Sequence, residues 1–242
     1  MQNFTMLEQI RENEKASHIA LYSSAELYGG GSWLKKPIRT VLELLPHFEG
    51  RTSLRVLDLG CGVGRNCIAI AQHFRDVPCV IDCVDILELA IEKLEENAAE
   101  FGVSESIRGF VQPLENFPIP PNSYDLILAV SALEHIDSRE AFVRKLAEIR
   151  NGIRENGIVC LVVNSEVTER DSQTGTPLPP QFEVNLPAKE LHALLSETFA
   201  GWEVLKSTVS KQQYDIPRGD NISNLQTNVV SYVARKENRV SS

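Results

Sequence analysis

Three places in the 242-residue chain carry residue types at spacings that could do chemistry. The first is Asp58-Leu59-Gly60-Cys61-Gly62-Val63-Gly64, an acid followed by alternating glycines. Glycine at 60 and 62 lets the backbone approach a ligand and adopt φ values closed to other residues. A helix beginning just beyond Gly64 turns free N–H groups and about half a positive charge toward an anion. Alone, the motif reads equally as a tight turn between a strand and a helix. The second place is Asp85, where a second short strand ends. A carboxylate there can accept both hydroxyls of an adenosine ribose, or it can be a solvated strand-end acid. The third is His135, in Ser131-Ala132-Leu133-Glu134-His135. Histidine titrates near neutral pH and suits a general base; its competing role is to anchor a loop. Glu134 reads as an ordinary helix or loop acid. His18, His47, His73 and His192 fall in helical, surface-type contexts with no evident partner.

The elements that must position these residues alternate. Leu54–Leu59 is a β-rich run and a helix follows over about 65–74. Strands at Cys79–Val84, Ile107–Gln112, Tyr124–Val130 and Gly157–Val163 come next. Between them Ile86, Ala90, Leu94 and Ala98 recur at helical spacing, and Phe142, Leu146, Ile149 and Ile153 form another apolar stripe. Asp137 with Glu140 has the pattern of a capping box opening that helix. Strands alternating with helices imply parallel βαβ units. The tail differs: Pro187 opens a helix, and Trp202–Val209 and Gln226–Ala234 are strands with no helix between them, an antiparallel pair closing one sheet edge. The stretch 164–185 is polar and proline-bearing and reads as a long functional loop. Ahead of the alternation stand two helices, one with Met6, Leu7 and Ile10, the other following Ser32, joined across Gly29-Gly30-Gly31. The expected fold is α/β: a three-layer sandwich with a mostly parallel seven-stranded sheet and an antiparallel last strand.

Composition sets the limits. Twenty-four Lys and Arg against 33 Asp and Glu give a net charge of −9. Such a chain repels a phosphate backbone, so a nucleic-acid partner is not expected. No segment approaches the roughly 20 apolar residues that span a bilayer, and the N-terminus lacks the features of a signal peptide. No membrane partner is expected, and the cytoplasm is the expected location. The five cysteines, an odd number, lie mostly in apolar runs. Cys79 and Cys83 share one strand face too far apart to clamp a metal, so no metal site is expected and the thiols read as buried.

The ordered set Asp58-x-Gly60-x-Gly62-x-Gly64, then Asp85, then Tyr124-Asp125-Leu126-Ile127 running into Ser131–His135, resembles the class I S-adenosylmethionine-dependent methyltransferases. The resemblance covers roughly residues 50–236 and extends to the antiparallel tail pair. Within the class, Gly62-Val63-Gly64-Arg65-Asn66, Gln181-Phe182-Glu183, Gly201-Trp202-Glu203 and Val233-Ala234-Arg235-Lys236 are similar to the tellurite-resistance methyltransferases. The resemblance implies a Rossmann-like domain over 50–242, a cap of helices over 1–49, and S-adenosylmethionine as cofactor. It implies that Asp58 orients the loop toward the methionine end, that Gly60, Cys61 and Gly62 line methionine and ribose, and that Gly64 and Asn66 also bind the cofactor. Asp85 would hold the ribose, Ile86 would pack on adenine, and the Leu114 N–H would meet an adenine nitrogen. Val130 and Ser131 would meet the methionine portion. The family often has Asp before the position of Leu114; here it is Pro113, so Glu115, backbone or packing alone must serve.

What is absent narrows the acceptor. Strand four is not followed by an Asn-Pro-Pro-Tyr-like clamp for a base amine, nor by a Pro-Cys pair that could attack cytosine. A small-molecule acceptor remains, with a chalcogen oxyanion or thiolate implied by the subfamily resemblance. His135 is the candidate catalytic base. Tyr22, Tyr28 and Trp33 could form an aromatic lid over a sulfonium or be ordinary packing. A non-catalytic cofactor-binding module is an alternative. So is a nicotinamide oxidoreductase, but its G-x-G-x-x-G spacing is not met: Gly64 comes one residue early and Arg65 holds the expected place.

Overall fold

The computed structural model of the protein describes residues 15–16, 18–24, 26–30, 32–218 and 221–237. The first expected helix, with Met6, Leu7 and Ile10, lies outside them; residues 18–24 are helical. The second is divided. A 3-10 turn, Trp33–Lys35, is capped by the Ser32 hydroxyl, then α1 spans Arg39–Leu44 and a second 3-10 turn spans Leu45–Phe48. Pro37 and Pro46 lack the N–H that a continuous helix needs, which accounts for the breaks.

The alternation that follows is as expected. The strands are β1 (Leu54–Leu59), β2 (Cys79–Asp85), β3 (Ile107–Val111), β4 (Tyr124–Val130) and β5 (Ile153–Asp171), then β6 (Pro177–Leu178), β7 (Glu203–Arg218) and β8 (Asn221–Arg235). The helices are α2 (Cys67–His73), α3 (Glu88–Glu100), α4 (Arg139–Gly152) and α5 (Ala188–Thr198). The sheet order is β3-β2-β1-β4-β5-β8-β7, with the two-residue β6 pairing off β5. β1 to β5 are parallel, and β8 runs antiparallel to both of its neighbours. The seven long strands and the antiparallel last strand are thus present, with β8 inserted between β5 and β7.

Strand alternation divides the core into two layers. Val56, Leu126 and Leu128 pack with Val41, Ile68 and Leu94 on one face. Leu57, Ile127 and Leu161 pack with Phe142, Leu146, Leu191 and Leu195 on the other. All of these side chains are buried. At the strands' N-terminal end, Asp125 accepts from Arg51, Arg154 and the Arg55 N–H, while Asp82 accepts from the Arg55 guanidinium at 2.6 Å and the Tyr124 hydroxyl at 2.9 Å. These pairings tie the bottom of the sheet together, away from the glycine loop.

Two expectations are corrected. α4 is capped by Ser138, whose Oγ accepts the Ala141 N–H at 3.2 Å; Asp137 instead accepts the Ser138 hydroxyl. The stretch 164–185 is only partly loop. β5 continues to Asp171, paired with β8 as far as Ser223, and β7 and β8 lengthen to match. Together they form a three-stranded arm. Ser165, Val167 and Glu169 are buried and Glu166 and Thr168 exposed, a strand period that its polar inward positions disguise. Ser223 satisfies the buried Glu169 carboxylate with a hydroxyl hydrogen bond. The register shifts between Ser165 and Thr168, and Glu166 there has φ +49°, as a bulge demands.

Candidate cofactor and acceptor site

The sheet order reverses direction between β1 and β4, and in open α/β sheets the crevice at such a point receives ligands. The loop after β1 occupies it. Gly60 and Gly62 have φ +74° and +53°. A Cβ at Gly60 would lie 2.3 Å from the Ala132 Cβ, so the loop from β1 and the loop from β4 meet with no room for a side chain. The Gly60 and Cys61 N–H groups both donate to the Val84 carbonyl, at 2.8 and 3.0 Å, folding the loop back onto β2.

Asp85 ends β2 beside this loop. Its Oδ2 accepts the Gly62 N–H at 2.9 Å and its Oδ1 accepts the Leu87 N–H at 3.0 Å. Each carboxylate oxygen keeps a second acceptor position. The residue is 9% exposed, and burial raises its pKa against the pull of those two N–H groups and of nearby His18. Asp58, at 1% exposure, is held by burial at a pKa of about 7, with Arg65 opposing the rise. Its Oδ2 has no hydrogen-bond partner among the described residues.

The remaining expected ligands divide. Val130 ends β4 and is buried. Ser131 holds φ +51°, a strained value for a non-glycine residue, while its N–H donates to the Val162 carbonyl at 2.7 Å. Ile86 stands beyond Asp85, 39% exposed, an apolar side chain open at the cleft. Leu114 is the first residue of the 3-10 turn Leu114–Asn116, preceded by Pro113. Cys61 is buried and its thiol is pushed up to about 12, which leaves it a lining group and not a nucleophile. Gly64 is turned elsewhere: a Cβ there would meet Leu94 and Ile68 below 3 Å, so it admits close packing of α2 and α3. Asn66 uses its Oδ1 to accept the Ile38 N–H at 3.2 Å.

That bond is one of several by which the N-terminal segment grips the loop. The Tyr28 hydroxyl donates to the Arg65 carbonyl at 2.8 Å, and Arg65 donates to the Trp33 carbonyl and lies 4.6 Å over the Trp33 ring. The Tyr22 hydroxyl sits 2.9 Å from where a Gly62 Cβ would be.

His135 follows β4 in a 3-10 turn, and the segment after β6 wraps it. Phe182 stacks on its ring, with centroids 4.9 Å apart and planes at 26°. The Glu183 side chain, 1% exposed, lies 3.2 Å from His135 Nδ1. The Val184 N–H donates to the Glu134 carbonyl. Glu134 is no ordinary surface acid. It is fully buried, its Oε1 accepts both the backbone and side-chain N–H of Asn164, and burial raises its pKa. Glu134 Oε2 and Gln181 Oε1 have no partner among the described residues. Spacing could not have paired residues 48 positions apart; the only signal was the Gln181-Phe182-Glu183 run. Three histidines read as unpartnered are engaged as well: His18 with the Tyr22 hydroxyl, His47 with Arg235, and His192 with the Ser207 hydroxyl. No group of three or more His, Cys, Asp or Glu side chains among the described residues is arranged to hold a metal ion. No helix there is long and apolar enough to cross a membrane.

The fold is that of the class I S-adenosylmethionine-dependent methyltransferases, and S-adenosylmethionine is the cofactor that such a glycine loop and strand-two acid are shaped to hold. Residues 56–157, under half of the chain, match the family model described as a methyltransferase domain. Ajmaline N-methyltransferase from Rauvolfia serpentina is 27% identical over 39% of this chain and 31% of its own length. The uncharacterized methyltransferase YcgJ from Bacillus subtilis is 28% identical over 62% of this chain and 54% of its own. The chain thus spans from about a third to about half of these relatives' lengths. Superposed structures agree: YcgJ at TM-score 0.58 and 18% identity, covering 82% of this chain and 98% of that one, and TehB from Haemophilus influenzae at TM-score 0.59 and 20% identity, covering 82% and 62%.

Proposed function

We propose that the protein is an S-adenosylmethionine-dependent methyltransferase that acts on a small-molecule acceptor. The observation that carries this is Asp85. Its two oxygens are fixed by the Gly62 and Leu87 N–H groups and still have acceptor capacity for two ribose hydroxyls. The rest of the crevice fits the same cofactor. The unpaired Asp58 Oδ2 suits the ammonium of a methionine end, and Gly60, Cys61 and Gly62 leave backbone where methionine and ribose would lie. Ile86 offers an apolar face to adenine, the Leu114 N–H offers a donor, and Val130 and Ser131 bound the methionine side. Gly64 and Asn66 act behind the loop, through packing and through the brace to Ile38.

The bound cofactor supplies an electrophilic methyl group on a sulfonium. The chain's own residues align the acceptor with it and keep water away; such positioning alone can account for roughly 7–11 kcal/mol of barrier lowering. Residues 1–49 serve as the cap: Tyr22, Tyr28, Trp33 and Ile38 hold the described part of that segment against the loop. Tyr28 works as a strut in this arrangement, and Tyr22 is the lid aromatic nearest the glycines. His135 is the base where the acceptor must lose a proton. The finer expectation, a chalcogen oxyanion or thiolate, rests on the resemblance to the tellurite-resistance enzymes. The Glu183 side chain against the His135 ring favours a neutral or cationic acceptor over an anion.

Calorimetric titration with S-adenosylhomocysteine tests the reading. Binding on the order of micromolar, about −8 kcal/mol, is expected, with none for NAD. Tighter binding of NAD would make the protein an oxidoreductase, and binding without methyl transfer to any acceptor would leave the non-catalytic module.

A further inference from the structure

We propose that Glu183 is a positioning residue: it fixes the tautomer of His135 so that Nε2 carries the lone pair, which suits the site to acceptors that must shed an O–H or N–H proton. The inference rests on the methyltransferase reading and deepens it. A carboxylate only accepts hydrogen bonds. At 3.2 Å from Glu183 Oε2, His135 Nδ1 is the ring nitrogen that donates when that carboxyl is ionised. The hydrogen bond made by one ring nitrogen decides the state of the other, so the lone pair falls on Nε2. Without such a partner, imidazole ordinarily prefers the opposite form, protonated at Nε2.

The arrangement is built and not incidental. Glu183 is withdrawn from water at 1% exposure and His135 is only 23% exposed. Phe182 stacks on the ring and fixes its plane. The wrapping segment is pinned on both sides of the pair. The Val184 N–H holds the Glu134 carbonyl at 2.9 Å, and the Asn185 side chain accepts from the Val167 N–H and donates to the Val167 carbonyl. A buried carboxylate costs several kcal/mol to desolvate unless it is paired, so its position against the imidazole needs a compensating interaction.

The chemistry balances. As the acceptor's oxygen or nitrogen bonds to the methyl carbon, the carbon–sulfur bond breaks and its electron pair stays on sulfur. The acceptor's proton passes to Nε2. The resulting imidazolium is held through Nδ1–H on Glu183, whose charge stabilises it. A thiolate or chalcogen oxyanion would bring no proton and gain nothing from this pair.

The test is the tautomer itself, read from nitrogen chemical shifts in protein labelled with 15N-histidine, with His135→Gln assigning the signal. Native protein should show Nδ1–H, Nε2-lone-pair imidazole at residue 135. Glu183→Ala should lower the ratio of Nδ1–H to Nε2–H by roughly 10- to 100-fold, equivalent to about 1.4–2.7 kcal/mol. Glu183→Gln should keep the native form, because the amide oxygen still accepts. An Nε2–H imidazole in native protein, or an unchanged ratio in folded Glu183→Ala, overturns the proposal. If the alanine variant fails to fold by its melting curve, the native and glutamine spectra decide alone. Titration of the same samples with S-adenosylhomocysteine separates the two readings. Absence of binding to native protein removes the methyltransferase assignment. Binding alongside the wrong tautomer removes only the role of Glu183.

Discussion

Replacing Asp85 with alanine removes the one group that holds both the glycine loop and, on our reading, the ribose. Two hydroxyls donating to a carboxylate are each worth about 1.5–3 kcal/mol, and water entering the vacated space returns part of that. A net loss of about 1.4–3.5 kcal/mol lowers cofactor affinity by roughly tenfold to a few hundredfold. The structure adds a second cost. The Gly62 and Leu87 N–H groups, at 2.9 and 3.0 Å from the carboxylate, lose their acceptor. Both then depend on admitted water, so a loss of about 1–2 kcal/mol in stability is expected. For a chain of this length that is a fall of about 2–8 °C in Tm. Asp85→Asn should be intermediate in affinity: its single oxygen serves one N–H while its amide nitrogen faces the other. The assay is calorimetric titration of native, Asn and Ala proteins with S-adenosylhomocysteine, beside melting curves. If folded Asp85→Ala binds as tightly as native protein, the ribose is held elsewhere and the placement of the whole pocket is wrong.

Three further outcomes follow from the same geometry. Gly60→Ala drives a Cβ to 2.3 Å from the Ala132 Cβ at a φ of +74°, so it should cost about 1–3 kcal/mol by urea unfolding and abolish cofactor binding; a stable variant that still binds would show that the two loops can part freely. Asp58 has its folded pKa raised to about 7 from an ordinary 3.8, so the unfolded chain gives up its proton first; stability contributed by the protonated form is present below pH 4 and lost as pH rises toward 7. Asp58→Asn should therefore be more stable than native protein at pH 8 and closer to it at pH 5, and parallel stability–pH curves for the two would contradict the burial argument. Tyr22→Phe should speed cofactor release in stopped-flow measurements while leaving Tm nearly unchanged, because it removes only the hydroxyl that covers Gly62 and keeps the buried ring in place; equal release rates would remove the cap role of residues 18–24.

How much of this was legible in the sequence depended on which side chains carried the signal. β4 was read to the residue because every position from Tyr124 to Val130 is buried, and a doubly covered parallel strand is a continuous apolar run. The loop from Asp58 to Gly64 and the acid at Asp85 were legible for the same reason: each lies at the end of such a run. The sequence shows β5 only as far as Val163, because beyond it the inward positions are Ser165, Val167 and Glu169, and a buried glutamate looks like loop in a linear chain. Its hidden partner is the Ser223 hydroxyl, 54 positions away. Glu134 and Glu183 were missed on the acceptor side by the same rule. What makes a carboxyl special there is burial and contact across the fold, which no local spacing encodes.

The position of β8 has a consequence for synthesis. Strands are made in sequence, yet β8 lies between β5 and β7, both of which precede it in the chain. When the apolar part of β5 leaves the ribosome its outer edge has no neighbour, and it waits for about seventy residues to follow, since Ile158 pairs with Arg235 and Val163 with Val230. At 5–20 residues per second that interval is roughly 4–14 s. Throughout it, the run Ile158–Val163 offers open N–H and C=O groups on an apolar strand, the kind of template on which nascent chains cross-pair. α4 can cover one face in that time, but no helix can cover an edge. Chaperone demand in this protein should therefore be concentrated late in translation, and trimming β8 should send the chain into aggregates instead of leaving a smaller folded core.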